Sequence, residues 1–213
     1  VVLRYLYVND GWAAQVRASA RAEADALQAR IKPHFLFNSM NTIAGLVRSD
    51  PVVAERAVLD LSDLFRAALG AGEGGSTLAD EVALAERYLA IEALRLGPRL
   101  AAEWRRHEPL PWDLPLPRLV LQPLVENAVL HGVARLPQGG RVEIELAATD
   151  GTLRIAVRNP APPPDAHDHG GAQHAQGSIG HRLAYAFGPR ARMTAGWDAG
   201  YYRVQLDIPI ARS

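Results

Sequence analysis

Over the first quarter of the chain, apolar residues return at alternating steps of four and three: Ala22, Ala26, Ala29, Pro33, Leu36, Met40, Ile43 and Val47. That spacing is the seam of a helix packed against other helices and predicts a helix over residues 11–48. The stretch before Pro33 is rich in Ala, Glu, Gln, Arg and Leu, so the helix is established before the proline arrives. Inside a helix, proline removes a hydrogen bond at a cost of about 3 kcal/mol, which predicts a bend there. Ser49-Asp50-Pro51 then supplies a cap and a first-turn proline. A second helix should start at once, with a stripe of Ala54, Ala57, Val58, Leu61, Leu64, Phe65 and Ala68. One antiparallel hairpin cannot cover both of its apolar faces, so a homodimeric four-helix bundle is expected.

Gly70-Ala71-Gly72-Glu73-Gly74-Gly75-Ser76 reads as a hinge. It lacks the preceding strand and the Lys-Ser/Thr ending of a phosphate loop. Thr77-Leu78-Ala79-Asp80 resembles a helix cap, and the helix it opens runs to Leu96, with Leu84, Tyr88 and Ile91 on one face and Gly97-Pro98 as the stop. A first strand is expected over residues 99–106. Residues 114–132 read as helical, with Leu121, Leu124, Val125, Ala128 and Val129 on one side, Asn127 and His131 on the other, and Glu126 at the edge. Pro123 leaves two possibilities, a helix that begins near Gln122 or one kinked there, and Gly132 is placed to end it. Residues 141–148 and 152–158 alternate apolar and polar around a Thr149-Asp150-Gly151 turn, a hairpin pattern. Residues 159–177 are crowded with Pro, Ala, His and Gly and show no period, which predicts a long lid-like loop. A short helix over 179–187 and a closing hairpin of 192–197 with 202–208 complete the chain.

Composition narrows the partners. Lys and Arg total 23 and Asp and Glu total 23, so the chain has no electrostatic footprint for nucleic acid. With 213 residues and 48% hydrophobic content it can form one large or two small domains. The chain has no cysteine, so neither a disulfide nor a thiolate metal site is available. The apolar residues 1–8 fall far short of the roughly 20 that a membrane span needs. His34 lies one residue, about 100°, off the first seam and should meet solvent. Its neutral imidazole is then a candidate nucleophile, although a half-buried surface histidine has the same pattern. His167, His169 and His174 sit in a Pro- and Gly-rich stretch without the fixed geometry a metal site requires.

Two strings go further. Lys32-Pro33-His34-Phe35-Leu36-Phe37-Asn38-Ser39-Met40-Asn41 resembles the phosphoacceptor box of the LytS-type and AlgZ-type sensor histidine kinases, whose pattern is P-H-F-L-F-N with a second Asn nearby. Leu121-Gln122-Pro123-Leu124-Val125-Glu126-Asn127-Ala128-Val129-Leu130-His131-Gly132 resembles the LQPLVENA-x-x-HG box of the same family's Bergerat-type (GHKL) ATP site. The resemblance covers about residues 27–208 and implies an α + α/β fold: a dimeric hairpin bundle over 1–76, then an ATP-binding α/β sandwich over 77–213. It implies an ATP-dependent protein histidine kinase that phosphorylates His34 from MgATP and passes the phosphoryl group to an aspartate of a response regulator. Asn127 would take Mg²⁺, His131 would approach the phosphates, and Glu126 would hold or accept a proton. The chain would be the cytoplasmic portion of an inner-membrane protein, attached through a segment N-terminal to it.

Two boxes depart from the family pattern. Val157-Arg158-Asn159-Pro160-Ala161-Pro162-Pro163 stands where V-x-D-N-G-x-G is usual, so the uncharged Asn159 replaces the acid that grips adenine and both glycines are gone. Gln176-Gly177-Ser178-Ile179-Gly180-His181-Arg182 keeps Gly177 and Gly180 near an expected helix start suited to phosphate, with Arg182 in place of the usual Asn. The altered adenine box motivates an alternative, a degenerate, non-catalytic dimeric scaffold that docks a response regulator; a third possibility is an ATP hydrolase of the same fold using Glu126 to activate water.

Overall fold

The computed structural model describes residues 33–68, 75–163 and 171–210, with the backbone alone for 171–176. The predicted helix upstream of Pro33 with its bend, residues 1–8, most of the hinge, and the side chains of His167, His169 and His174 lie outside the described residues.

Helix α1 (Pro33–Leu46) and helix α2 (Pro51–Ala68) form the expected hairpin. The turn closes through the Asp50 N–H donating to Leu46 O at 2.8 Å, and Asp50 Oδ1 caps α2 by accepting the Val53 N–H at 3.1 Å. Ala54, Ala57, Leu61 and Leu64 of α2 are buried, as its stripe predicts, while Val58 is exposed. On α1 the inward face differs from the predicted seam. Ser39 and Ile43 are buried with Phe35, Leu36 and Leu46 packed beside them, whereas Met40 and Val47 are each 55% exposed. The reason lies in the partner: a third helix, α3 (Leu78–Leu96), packs on the hairpin and turns α1 toward itself.

Thr77 opens α3 with a reciprocal cap. The Asp80 N–H donates to Thr77 Oγ1 at 3.2 Å, and the Thr77 N–H donates to Asp80 Oδ2 at 3.0 Å. Gly97 closes the helix at φ 57°, a left-handed conformation that glycine adopts without a Cβ penalty. Because α3 lies between the hairpin and a sheet, it buries Leu78, Val82, Leu84, Ala85, Tyr88, Leu89 and Ile91, more than a single stripe.

The strands are β1 (Ser76–Thr77), β2 (Leu100–His107), β3 (Pro115–Leu116), β4 (Gly140–Thr149), β5 (Thr152–Pro160), β6 (Arg192–Asp198) and β7 (Tyr201–Pro209). Five form a mixed sheet in the order β2-β4-β5-β7-β6, with β2 and β4 parallel and the other pairs antiparallel; β1 pairs with β3 apart from it. Val142, Ile144 and Leu146, Leu153, Ile155 and Val157, and Val204, Leu206 and Ile208 are buried. The alternate positions carry ion pairs, among them Glu143 with Arg158 and Arg154 with Asp207. Asp150 and Gly151 turn between β4 and β5 at φ 50° and 71°, the conformation a two-residue hairpin demands.

Helix α4 (Gln122–Asn127) begins at Gln122, the first of the two possibilities that Pro123 left, but the helical reading from residue 114 does not hold before it: Pro115–Leu116 form β3 and residues 117–121 are irregular. Two other boundaries differ from expectation. Strand β5 continues through Asn159 and Pro160. Helix α5 (Gly171–Phe187) starts eight residues before Ile179, so Gly177 and Gly180 lie inside it rather than near its start. Between Gly171 and Gly177 the apolar residues are Ala172 and Ala175 alone, too few to set a helical period.

The α3 cap yields a stability prediction. Thr77→Ala should cost about 1 kcal/mol in urea unfolding. The Thr77 hydroxyl foremost, and then its backbone N–H, hold the Asp80 carboxyl below its usual range. A depressed folded value means the stabilisation is full above the unfolded value of about 3.9 and is lost as pH falls through the folded one. Asp80→Asn should therefore lower the melting temperature at pH 7 and flatten the decline below about pH 4.

Candidate functional site

His34 is exposed on the first turn of α1, as its offset from the seam predicts. The Asn38 amide, one turn on, places Nδ2 3.1 Å from Nδ1 and 3.3 Å from Nε2 of the ring. An amide N–H bonds only a ring nitrogen bearing a lone pair, the electron pair a nucleophilic imidazole uses. The next residue, Phe35, points the other way and packs its ring on Tyr88 of α3, with centroids 5.1 Å apart and a tilt of 32°. Arg87 adds a polar tie from α3 to α2, its Nε lying 3.6 Å from Asp60 Oδ1 and 3.4 Å from Asp63 Oδ2. Helix α1 is thus fixed to the same body that carries the second box.

That second box occupies α4 and the turn after it. From Ala128 to Gly132 the helix widens to π geometry: the Val133 N–H reaches back five residues to Ala128 O. Such turns often mark functional positions. Glu126 and Asn127 are both buried, and His131 is half-buried. Gln122 Nε2 donates to Glu126 Oε2 at 3.1 Å. Asn127, only 8% exposed, has an Nδ2 that is buried without a hydrogen-bond partner among the described residues. An unpaired buried amide costs about 1–3 kcal/mol, so it fits a site completed by a ligand. Rotation of the amide offers its carbonyl oxygen instead, a ligand suited to Mg²⁺.

Asn159, at the end of β5, faces this turn. It is 3% exposed and its Nδ2 donates to Pro160 O at 2.9 Å. Gly132 makes room for it: a Cβ at that position would lie 1.9 Å from Asn159 Nδ2 and 2.7 Å from Pro160 O. The two boxes, 27 residues apart in sequence by the numbers of those residues, therefore meet in space through a glycine.

The remaining sequence candidates are placed otherwise. Gly177 and Gly180 sit within α5, where a Cβ on either would meet nothing within 4 Å. Arg182 turns toward residues 117–121, donating through one guanidinium nitrogen to Arg118 O and through Nη2 to Leu119 O at 2.9 Å. Burial lowers its pKa, partly opposed by the Glu81 charge. Two further residues emerge only in the structure. Glu81 is buried and accepts backbone N–H groups from Leu119, Val120 and Leu121. Tyr88 is 1% exposed with an unpartnered hydroxyl, and burial, with the Glu92 and Glu126 charges behind it, pushes its pKa well up. Helical periodicity marked Tyr88 as core, and no spacing pointed to Glu81.

Gly132→Ala tests the junction of the boxes. Overpacking against a buried side chain and a carbonyl should destabilise the protein by about 1–3 kcal/mol, read by urea unfolding. Gly177→Ala, in open space inside a helix, should be neutral or slightly stabilising in the same assay.

The family model described as histidine kinase matches residues 22–100. The sensor histidine kinase YpdA of Escherichia coli K12 is 36% identical over 149 residues, 69% of this chain and 26% of that protein. BtsS of the same strain is 37% identical over 141 residues, 66% of this chain and 25% of that one. The sensor protein LytS of Staphylococcus epidermidis ATCC 12228 is 33% identical over 139 residues, 65% of this chain and 23% of that protein. The chain spans about a quarter of the length of these curated relatives. Among solved structures, full-length ShkA in complex with AMPPNP matches in fold with a TM-score of 0.50 at 21% identity, over 80% of this chain and 38% of that one. A bacterial phosphotransferase matches at 0.50 and 17% identity, over 86% and 94%. With both boxes in place on a helical region followed by an α/β sandwich, the chain belongs to the sensor histidine kinases of the LytS and YpdA kind.

Proposed function

We propose that this chain is the kinase portion of a two-component sensor, dividing near residue 76 into an acceptor hairpin and an ATP-binding unit. The observation that carries the reading is the union, in one packed body, of an exposed imidazole at His34 and a buried amide at Asn127 that lacks a partner. ATP is the substrate in this reading. With Asn159 Nδ2 engaged by Pro160 O, the carbonyl oxygen of that amide is what an adenine amino group would meet. Asn127 would supply one ligand to Mg²⁺, a cation that commonly takes one or two side chains and completes its shell with phosphate oxygens. Bound there, it would neutralise charge on the leaving diphosphate.

A ring nitrogen of His34 attacks the γ-phosphorus. The N–P bond forms, the bond from phosphorus to the bridging oxygen of ADP breaks, and the ring proton passes to an acceptor, for which Glu126 is the candidate. Asn38, within hydrogen-bond distance of both ring nitrogens, is placed to hold the ring orientation. The phosphoryl group then moves to an aspartate of a response regulator, breaking N–P and forming O–P. Phe37, Met40, Val47, Val52, Val58 and Leu59 leave an apolar strip exposed on the hairpin, which a second hairpin would cover in a homodimer. Among the described residues no helix is long and apolar enough to cross a membrane. Attachment through a preceding segment and a cytoplasmic location of this portion belong to the same proposal.

The placement of Gly177 and Gly180 inside α5, together with Asn159 in place of an acid, favours a second reading: a non-catalytic scaffold that docks a regulator. Incubation with γ-labelled ATP and Mg²⁺ separates the two. Acid-labile, base-stable label on the wild-type chain that disappears in His34→Gln is expected. Asn127→Ala should raise the KM for ATP at least about tenfold, the loss of one charge-assisted contact. A folded wild-type chain that takes up no label would overturn the kinase reading in favour of the scaffold.

A further inference from the structure

Residues 118–121, which lead into α4, are held from two sides by opposite charges. From α3, the Glu81 carboxylate is 1% exposed and accepts the Leu119 N–H at 2.8 Å, the Val120 N–H at 2.7 Å and the Leu121 N–H at 3.0 Å. Leu119 and Val120 precede α4 and Leu121 is its N-cap, so these backbone N–H groups have no helical partner and the carboxylate satisfies them. From α5, Arg182 donates to Arg118 O and Leu119 O. Leu119 thus has both its N–H and its carbonyl engaged, and it adopts φ 57°, a left-handed conformation that a leucine rarely takes because its Cβ crowds the following carbonyl oxygen. A non-glycine residue keeps such a conformation only where its surroundings over-determine it.

We propose that Glu81 and Arg182 are positioning residues forming a clasp on residues 118–121 that fixes the helix carrying Glu126 and Asn127 relative to α5. Arg182 acts here through the backbone and not as a phosphate ligand. The inference rests on the nucleotide site proposed above and deepens it. Its consequence reaches beyond the phosphate end, because Gly132 closes the same helical segment and seats Asn159. A shift of α4 disturbs both ends of the nucleotide site together. Arginine suits this role in a way lysine does not, since its planar fork bonds two carbonyls at once while an ammonium is a point charge.

Calorimetric titration of the full chain with adenosine, MgADP and MgATP tests the clasp, using Arg182→Gln, Arg182→Lys, Glu81→Gln and the Arg182→Gln/Glu81→Gln double variant. The clasp predicts that each single variant weakens all three ligands by a common factor of about fivefold, the worth of about one net hydrogen bond. It also predicts that Lys fails to rescue and that the double variant loses less than the product of the singles. A loss that grows from adenosine to MgATP and is rescued by Arg182→Lys would overturn it in favour of phosphate contact. Melting temperatures that fall while all three affinities stay at wild-type values would overturn it as well, leaving a purely structural bond. Failure of the wild-type chain to bind any of the three would defeat the nucleotide reading itself and the clasp with it.

Discussion

Burial of α3 on two opposite sides is the constraint on which the rest of the molecule depends. One side receives the hairpin through Ala54, Ala57, Leu61 and Ile43; another packs on α4 and on β2 at the edge of the sheet. A helix in that position buries polar side chains such as Glu81, Tyr88 and Glu92 together with its apolar ones, and buried polar groups must find partners or cost free energy. Arg87 reaches the hairpin acids, Glu81 reaches the entry to α4, and Glu92 pairs with Arg95. Tyr88 is the exception, with its ring against Phe35 and its hydroxyl unpartnered. The same helix therefore touches the residue after His34 and the loop before the helix of Asn127, so both boxes rest on one element.

The polar chemistry is concentrated on a segment whose apolar side, with Leu121, Leu124, Val125 and Val129, is deeply buried. Around α4 the helix widens into a π turn, Gly132 gives up its side chain to admit Asn159, and Asn127 keeps an unsatisfied atom. The π turn and the unsatisfied Asn127 atom are departures from local ideality, and Gly132 is what lets Asn159 pack against the turn. Elsewhere the chain follows the ordinary rules, with alternating strands, a reciprocal cap on α3 and a tight turn at Asp150-Gly151.

Much of this was legible in the sequence because the signals were local. The P-H-F-L-F-N string, the Asn127 to Gly132 box, the Thr77 and Asp80 cap and the alternation in β4 and β5 each span a dozen residues or fewer. The clasp was not legible, since Glu81 and Arg182 act on residues 38 and 63 positions away. Nor was the inward face of α1, because a heptad seam presumes partners along one stripe and α3 instead draws in Phe35 and Ser39. The start of α5 was hidden for a different reason: Gly171-Ala172-Gln173-His174 has no apolar period, and Gly, like the Pro residues before it, signals a break.

Fragmentation mass spectrometry of the chain after incubation with MgATP, kept at alkaline pH so that a phosphoramidate survives, tests the central claim most directly. A single added phosphoryl group located on the imidazole of His34 is the predicted result. A modified chain whose phosphoryl group maps to any other residue would contradict the account.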